Sequence, residues 1–147
     1  MKYLVLALFM LAAGAALTQS DLGTQAYYPV VRLRTSDGFF ITSVQERTSK
    51  RTACRESMEQ FIEPIKRDCR ACVLESAECI SDLVGMELAL ANGELLDVHT
   101  VTAEGIKMAL VGPPELAQKT CESIATRIVL NGMKNASCVY PRRAANG

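Results

Sequence analysis

From residue 28 to residue 34 apolar and polar side chains alternate. Val31 and Leu33 fall on one side, Arg32 and Arg34 on the other, the pattern of a half-buried strand. Ser36-Asp37-Gly38 supplies turn chemistry for a hairpin, and a second strand is predicted over residues 39–44. From Thr48 the period lengthens. Cys54, Met58, Phe61, Ile62 and Ile65 recur at helical spacing, with Arg55, Glu59, Glu63 and Lys66 on the other positions. Pro64 is expected to kink or end that helix, because a proline removes one hydrogen bond and clashes with the preceding turn. A strand is predicted over about 70–76.

The same order returns downstream. Residues 96–102 read as a strand, Ala103-Glu104-Gly105 as a turn and 106–111 as a second strand. Pro113 and Pro114 suit the first turn of a helix, which carries Cys121, Ala125, Ile128 and Val129 on one face and stops at Asn131-Gly132. A closing strand is predicted over 135–140. Between the two runs, Leu83, Met86 and Leu90 favour a short linker helix that starts at Ser81 or Asp82 and is capped by Asn92-Gly93. The competing reading is a hairpin turning at the same Asn-Gly.

The halves match at an offset of 67 residues: Val31 meets Val98, Thr35 Thr102, Gly38 Gly105, Val44 Val111 and Cys54 Cys121. A Cys-Val pair follows each helical cysteine, Cys72-Val73 and Cys138-Val139. The expectation is an α+β fold of tandem duplicated β-β-α-β units, an antiparallel sheet with helices packed on one face, stapled by disulfides. Repeat 1 spans about 28–79, the linker helix about 81–92 and repeat 2 about 95–141, with a tail at 142–147.

The N-terminus changes the setting. Lys2, an uncharged apolar run over residues 3–13 and the small residues Ala12, Ala13, Gly14, Ala15 and Ala16 read as a cleaved signal peptide, residues 1–18, followed by a flexible lead at 19–26. No membrane span is expected after cleavage, and the location expected is secreted or periplasmic. Without Lys2 the chain carries 15 basic and 16 acidic residues, a balance that gives no reason to expect nucleic acid or an anionic membrane surface. With 0 Trp, 4 Tyr and 4 Phe there is little material for a stacking surface for bases or sugars. Six cysteines behind a secretory signal imply oxidation.

Helix and strand lengths bear on which cysteines pair. If the second helix packs antiparallel to the strand after it, ten residues of helix rise roughly 15 Å and five of strand return roughly 16 Å, bringing Cys121 to Cys138. By symmetry Cys54 would pair with Cys72, but Cys69 and Cys79 would then be left at opposite ends of a strand. The alternative is Cys54–Cys79 with Cys69–Cys72, and the sequence does not choose. Cys69-Arg70-Ala71-Cys72 also admits a redox reading, but such a motif should open a helix, and here it follows one. A zinc site has no histidine nearby, and haem attachment would need histidine where Val73 stands. No cofactor or metal is expected.

His99, the only histidine, is expected to point away from the core, in the place of Arg32 in the other half. Charge is uneven. Arg47, Lys50, Arg51 and Arg55 gather at the start of the first helix, and Arg32 and Arg34 are placed on the open sheet face. Arg32, Arg34, Arg47, Lys50 and Arg51 are therefore the candidate anion-binding residues. Between Arg70 and Lys107 stand seven acids (Glu75, Glu78, Asp82, Glu87, Glu94, Asp97 and Glu104) and no Lys or Arg. Asn135-Ala136-Ser137 fits a glycosylation sequon.

The run Lys107-Met-Ala-Leu-Val-Gly-Pro-Pro-Glu-Leu-Ala, then a helix, Asn131-Gly132 and a closing strand, resembles a SPOR-type repeat over residues 105–141. That resemblance implies binding of denuded peptidoglycan glycan on the exposed sheet face. The first half departs from the pattern, with Gln45-Glu46-Arg47 where Gly-Pro is required, and no functional residue is carried over. The function expected is a non-enzymatic cell-envelope binding or accessory protein whose partner is a cell-wall glycan or an envelope protein. The alternatives are a thiol-disulfide oxidoreductase using Cys69 and Cys72, and a small secreted inhibitor.

Overall fold

The computed structural model describes residues 25–142. The expected signal peptide (1–18), all but two residues of the lead (19–26) and the tail after Arg142 lie outside the described residues. The chain forms β1 (Tyr28–Arg34), β2 (Phe40–Gln45), α1 (Arg51–Asp68), β3 (Val73–Ile80), α2 (Gly85–Asn92), β4 (His99–Ala103), β5 (Ile106–Val111), α3 (Pro114–Leu130) and β6 (Ser137–Val139). All six strands join one sheet in the order β3-β1-β2-β5-β4-β6, and every neighbouring pair is antiparallel.

The order reads the same from either edge when β1, β2 and β3 are exchanged for β4, β5 and β6. The middle pairing keeps the sequence offset, because Thr42 faces Ala109, the residue 67 positions on. This is a symmetry of layout and does not by itself confirm a duplicated sequence. The hairpins break it by one residue. Thr35 and Phe39 close a loop of Ser36-Asp37-Gly38, whereas Ala103 pairs with Ile106 across Glu104-Gly105 alone. A one-residue change exchanges the two faces of a strand. Val31 pairs with Ser43 and His99 with Leu110, so His99 takes the place of Val31, not of Arg32. It is half-buried on the face that α1 and α3 cover, correcting its expected outward position.

α1 and α3 lie on one face of the sheet, each over its own half. Val31, Leu33, Phe39, Ile41, Val101, Ile106, Met108 and Leu110 meet Ile62, Ala117, Cys121 and Ala125 there, with Met58, Phe61 and Ile65 packed alongside. Each fully buried aliphatic or aromatic side chain contributes about 1.5–3 kcal/mol. The linker helix α2 crosses the other face, where Leu83 and Leu90 cover Val30, Val44 and Ala109. Two helices therefore share a face, and the third closes the opposite one.

Pro64 does not end the first helix, which runs on to Asp68. Having no N–H, it removes one helical hydrogen bond, and Ile65 beyond it still packs on the core. β3 begins at Val73 instead of about 70, because Cys72 N–H donates to the Cys69 carbonyl (3.1 Å) and residues 69–72 form a turn.

The three disulfides are Cys54–Cys79, Cys69–Cys72 and Cys121–Cys138. The second-half pairing is the one expected, and in the first half the Cys54–Cys79 alternative is the one realised. Element lengths explain it. From Cys54 to Asp68 the helix rises roughly 21 Å, and from Val73 to Cys79 the strand returns roughly 20 Å. Cys79 thus lies back beside the first turn of α1, while Cys72 remains at the far end. α3 holds Cys121 near its middle, so a shorter return to Cys138 suffices.

Candidate functional site

Arg32 is half-buried against the sheet. Its Nε and Nη2 donate to Glu87 Oε1 (3.2 and 2.8 Å), and its Nη1 to Ser76 Oγ (2.9 Å) and Glu78 Oε2 (3.1 Å). Glu87, then Glu78, hold its guanidinium protonated beyond its already high ordinary value. Arg32 thereby fastens α2 to the sheet. Arg34 pairs with Glu75 (2.9 Å). The acid run of the sequence and the two sheet-face arginines are thus brought together, each neutralising the other.

The other three candidate cations lie at and just before the start of α1. Arg47 lines a hollow of about 350 Å³ with Tyr28, Glu46, Ala91 and Lys107. Arg51 lines a separate open hollow of about 550 Å³ with Arg55, Glu78, Cys79 and Asp82. Lys50 is exposed just ahead of α1.

What the fold does assemble is a row across four strands, on the face that α2 partly covers. Arg34 pairs laterally with Val73 of β3 and Phe40 of β2, and Phe40 with Val111 of β5. Val73, Phe40 and Val111 are 52 %, 51 % and 43 % exposed, although each sits within a strand of the sheet. The guanidinium of Arg34 lies 6.0 Å from the centre of the Phe40 ring, within cation–π range. One pleat inward, α2 covers the sheet, and Thr42 and Ala109 are buried there. α2 thus stops short of the Phe40 row. Across strands spaced about 4.8 Å apart the row extends roughly 14 Å.

The sequence reading did not reach Phe40, Val73 or Val111. One signal was present: Phe39 and Phe40 are adjacent at the start of the strand predicted over residues 39–44, so only one of them can face the long helices. Phe39 does, fully buried above Gly112, where any Cβ would stand 2.4 Å from the Phe39 ring. Phe40 is forced outward.

Two further clusters complete the polar inventory. The Tyr140 hydroxyl donates to Glu122 Oε1 (2.8 Å), Gln118 Nε2 donates to the same oxygen (3.0 Å), and the His99 ring meets Tyr140 edge-on at 5.6 Å. The Gln118 and Tyr140 hydrogen bonds hold the Glu122 carboxyl below its ordinary range, and Glu122 pushes the Tyr140 phenol up. Gln45 Oε1 accepts from Ser57 Oγ (2.7 Å), while its buried Nε2 has no hydrogen-bond partner among the described residues. Asn135 is exposed, in a left-handed conformation (φ 61°), just before β6.

All six cysteines are paired. Among the described residues no group of three or more His, Cys, Asp or Glu is placed to hold a metal ion, and no helix is long and apolar enough to cross a membrane. The chain matches no family model, and neither a curated protein nor a solved structure matches it. The SPOR-type likeness accordingly remains a resemblance of the β5-α3-β6 segment.

Proposed function

We propose that this chain is an extracytoplasmic binding domain whose recognition surface is the row Val73-Arg34-Phe40-Val111. The observation that carries the reading is that three large apolar side chains in laterally paired positions of the sheet, Val73, Phe40 and Val111, stay exposed beyond the part that α2 covers. Exposed apolar residues in a contiguous, charge-bordered group are what binding surfaces are made of. Three disulfides suit an oxidising compartment.

The chemistry of the row favours a protein partner over a glycan. It offers one aromatic ring, two valines and one guanidinium, and few hydrogen-bonding groups for sugar hydroxyls. Thr42, a hydroxyl of the sheet face on which the SPOR-type resemblance would seat a glycan, is buried. A partner with an apolar segment beside a carboxylate fits: the segment covers Phe40 and Val111, and the carboxylate competes with Glu75 for Arg34.

The test compares wild type with Phe40→Ser and Arg34→Ala, each checked for an unchanged circular dichroism spectrum. Immobilised protein is exposed to an envelope or secreted fraction, and free protein is sedimented with purified cell-wall glycan. The reading predicts a discrete protein retained by wild type and lost with Phe40→Ser. Sedimentation with glycan that both variants abolish would transfer the row to the glycan reading. Equal behaviour of all three proteins in both assays would overturn it.

A further inference from the structure

The three disulfides differ in what they hold. Cys54–Cys79 and Cys121–Cys138 each join a fully buried helical cysteine to a strand, across sequence separations of 25 and 17. Cys69–Cys72 joins two partly exposed cysteines at a separation of 3. The turn between them is already closed by the Cys72 N–H to Cys69 carbonyl bond, and Cys69 N–H donates to the Ile65 carbonyl (2.8 Å), completing α1. This disulfide ties no helix to the sheet and shortens the unfolded chain least, so the fold depends on it least.

Its surroundings differ too. Arg70 stands between the two cysteines, and both Arg70 and Ala71 are exposed. Asp68, the nearest acid, is engaged twice by Arg67 (2.8 and 3.0 Å). Cys69 lies at the C-terminal, negative end of α1, which disfavours a thiolate. Cys72 lies beyond that end, free of that penalty, and is the better leaving group.

We propose that Cys69–Cys72 is a redox-active site that exchanges with an external dithiol while the other two disulfides stay closed. A thiolate of the external dithiol attacks Cys69 Sγ, and the Cys69–Cys72 bond breaks with Cys72 leaving as thiolate. The second thiol of the dithiol, deprotonated, attacks the mixed disulfide and releases Cys69 as thiolate. The dithiol becomes a cyclic disulfide, having given up two electrons and two protons, and Cys69 and Cys72 are reduced. In the opposite direction the site oxidises a dithiol. This inference does not rest on the binding reading: Cys72 directly precedes Val73 of the row, but thiol labelling and partner retention are separate readouts, and either can fail without the other.

The test uses the whole oxidised protein and dithiothreitol as probe, quenched by alkylation at intervals and mapped by mass spectrometry, with circular dichroism followed in parallel. Cys69 and Cys72 are expected to be labelled at least roughly tenfold faster than the other four, with the spectrum unchanged. Arg70→Glu is expected to slow their labelling roughly threefold, and Arg70→Lys to preserve it, with the unfolding midpoint unchanged in both. The proposal is overturned if Cys69 and Cys72 are labelled together with or after the others, if their reduction unfolds the chain, or if Arg70→Glu leaves the rate unaltered.

Discussion

The half built from β1, β2, α1 and β3 and the half built from β4, β5, α3 and β6 occupy equivalent places in the sheet, but they solve the same packing problem with different residues. At one end of the β2–β5 pairing, Phe39 fills the space above Gly112; at the other, Ile106 sits beside Gln45. The symmetry of the sheet exchanges these two pairs, because Phe39 and Gly112 stand in the positions of Ile106 and Gln45. One end is a full aromatic over a residue with no side chain. The other is a smaller aliphatic beside an amide whose Nε2 finds no hydrogen-bond partner among the described residues. Strand order can therefore be shared while the detailed packing is not, and the second arrangement carries an avoidable cost.

The sharpest way to break that comparison is to truncate its aromatic end. Phe39→Ala should cost about 3–5 kcal/mol, since Gly112 has no side chain to fill the cavity, and Ile106→Ala about 2–5 kcal/mol. Urea unfolding of the two variants should rank them in that order. A larger loss at Ile106 would mean the Phe39–Gly112 contact is not the tighter one.

The disulfides come next. Loop-closure entropy makes Cys54→Ala with Cys79→Ala worth about 3.5 kcal/mol, Cys121→Ala with Cys138→Ala about 3, and Cys69→Ala with Cys72→Ala about 2 at most. Thermal unfolding should show a clear gap between the first two double variants and the third. Equal losses would remove the distinction between the tie that spans a turn and the ties that span layers.

Relieving the amide end should instead stabilise. Gln45→Met removes an unsatisfied buried donor, and Ser57→Ala removes the hydroxyl that its Oε1 had accepted from. Taken together they should gain about 1 kcal/mol by urea unfolding. A loss would show that the amide is satisfied in solution.

The smallest effect is one of pH and belongs to the second half alone. Glu122 has its carboxyl held low, so its contribution is present above its unfolded pKa and is lost as pH falls through the folded one. Tyr140 has its phenol raised, so its contribution is present below its unfolded pKa and is lost as pH rises through the folded one. Glu122→Gln should slightly flatten the acid limb of the stability profile, and Tyr140→Phe the alkaline limb. Profiles matching wild type would mean that water screens this exposed contact completely.

Much of the fold was legible because periodicity and turn residues are local. Ile106–Val111 and the helix face through Met58, Ile62 and Ile65 followed from spacing alone, and Asn92-Gly93 marked the end of α2. What escaped depended on counts spanning several elements. One fewer residue in the second turn moved His99 to the other face. The length of α1 decided that Cys54 reaches Cys79. The bare row escaped for a further reason: its exposure depends on where α2 stops, and no residue of the row encodes that. The two sheet-face arginines were placed correctly on one face, but carboxylates contributed by β3 and α2 claim them.

The most direct test is the disulfide pattern of the native protein, read by non-reducing digestion and mass spectrometry with free thiols blocked beforehand. The account predicts Cys54–Cys79, Cys69–Cys72 and Cys121–Cys138. Cys54 found joined to Cys72 would restore two identically stapled halves and contradict it.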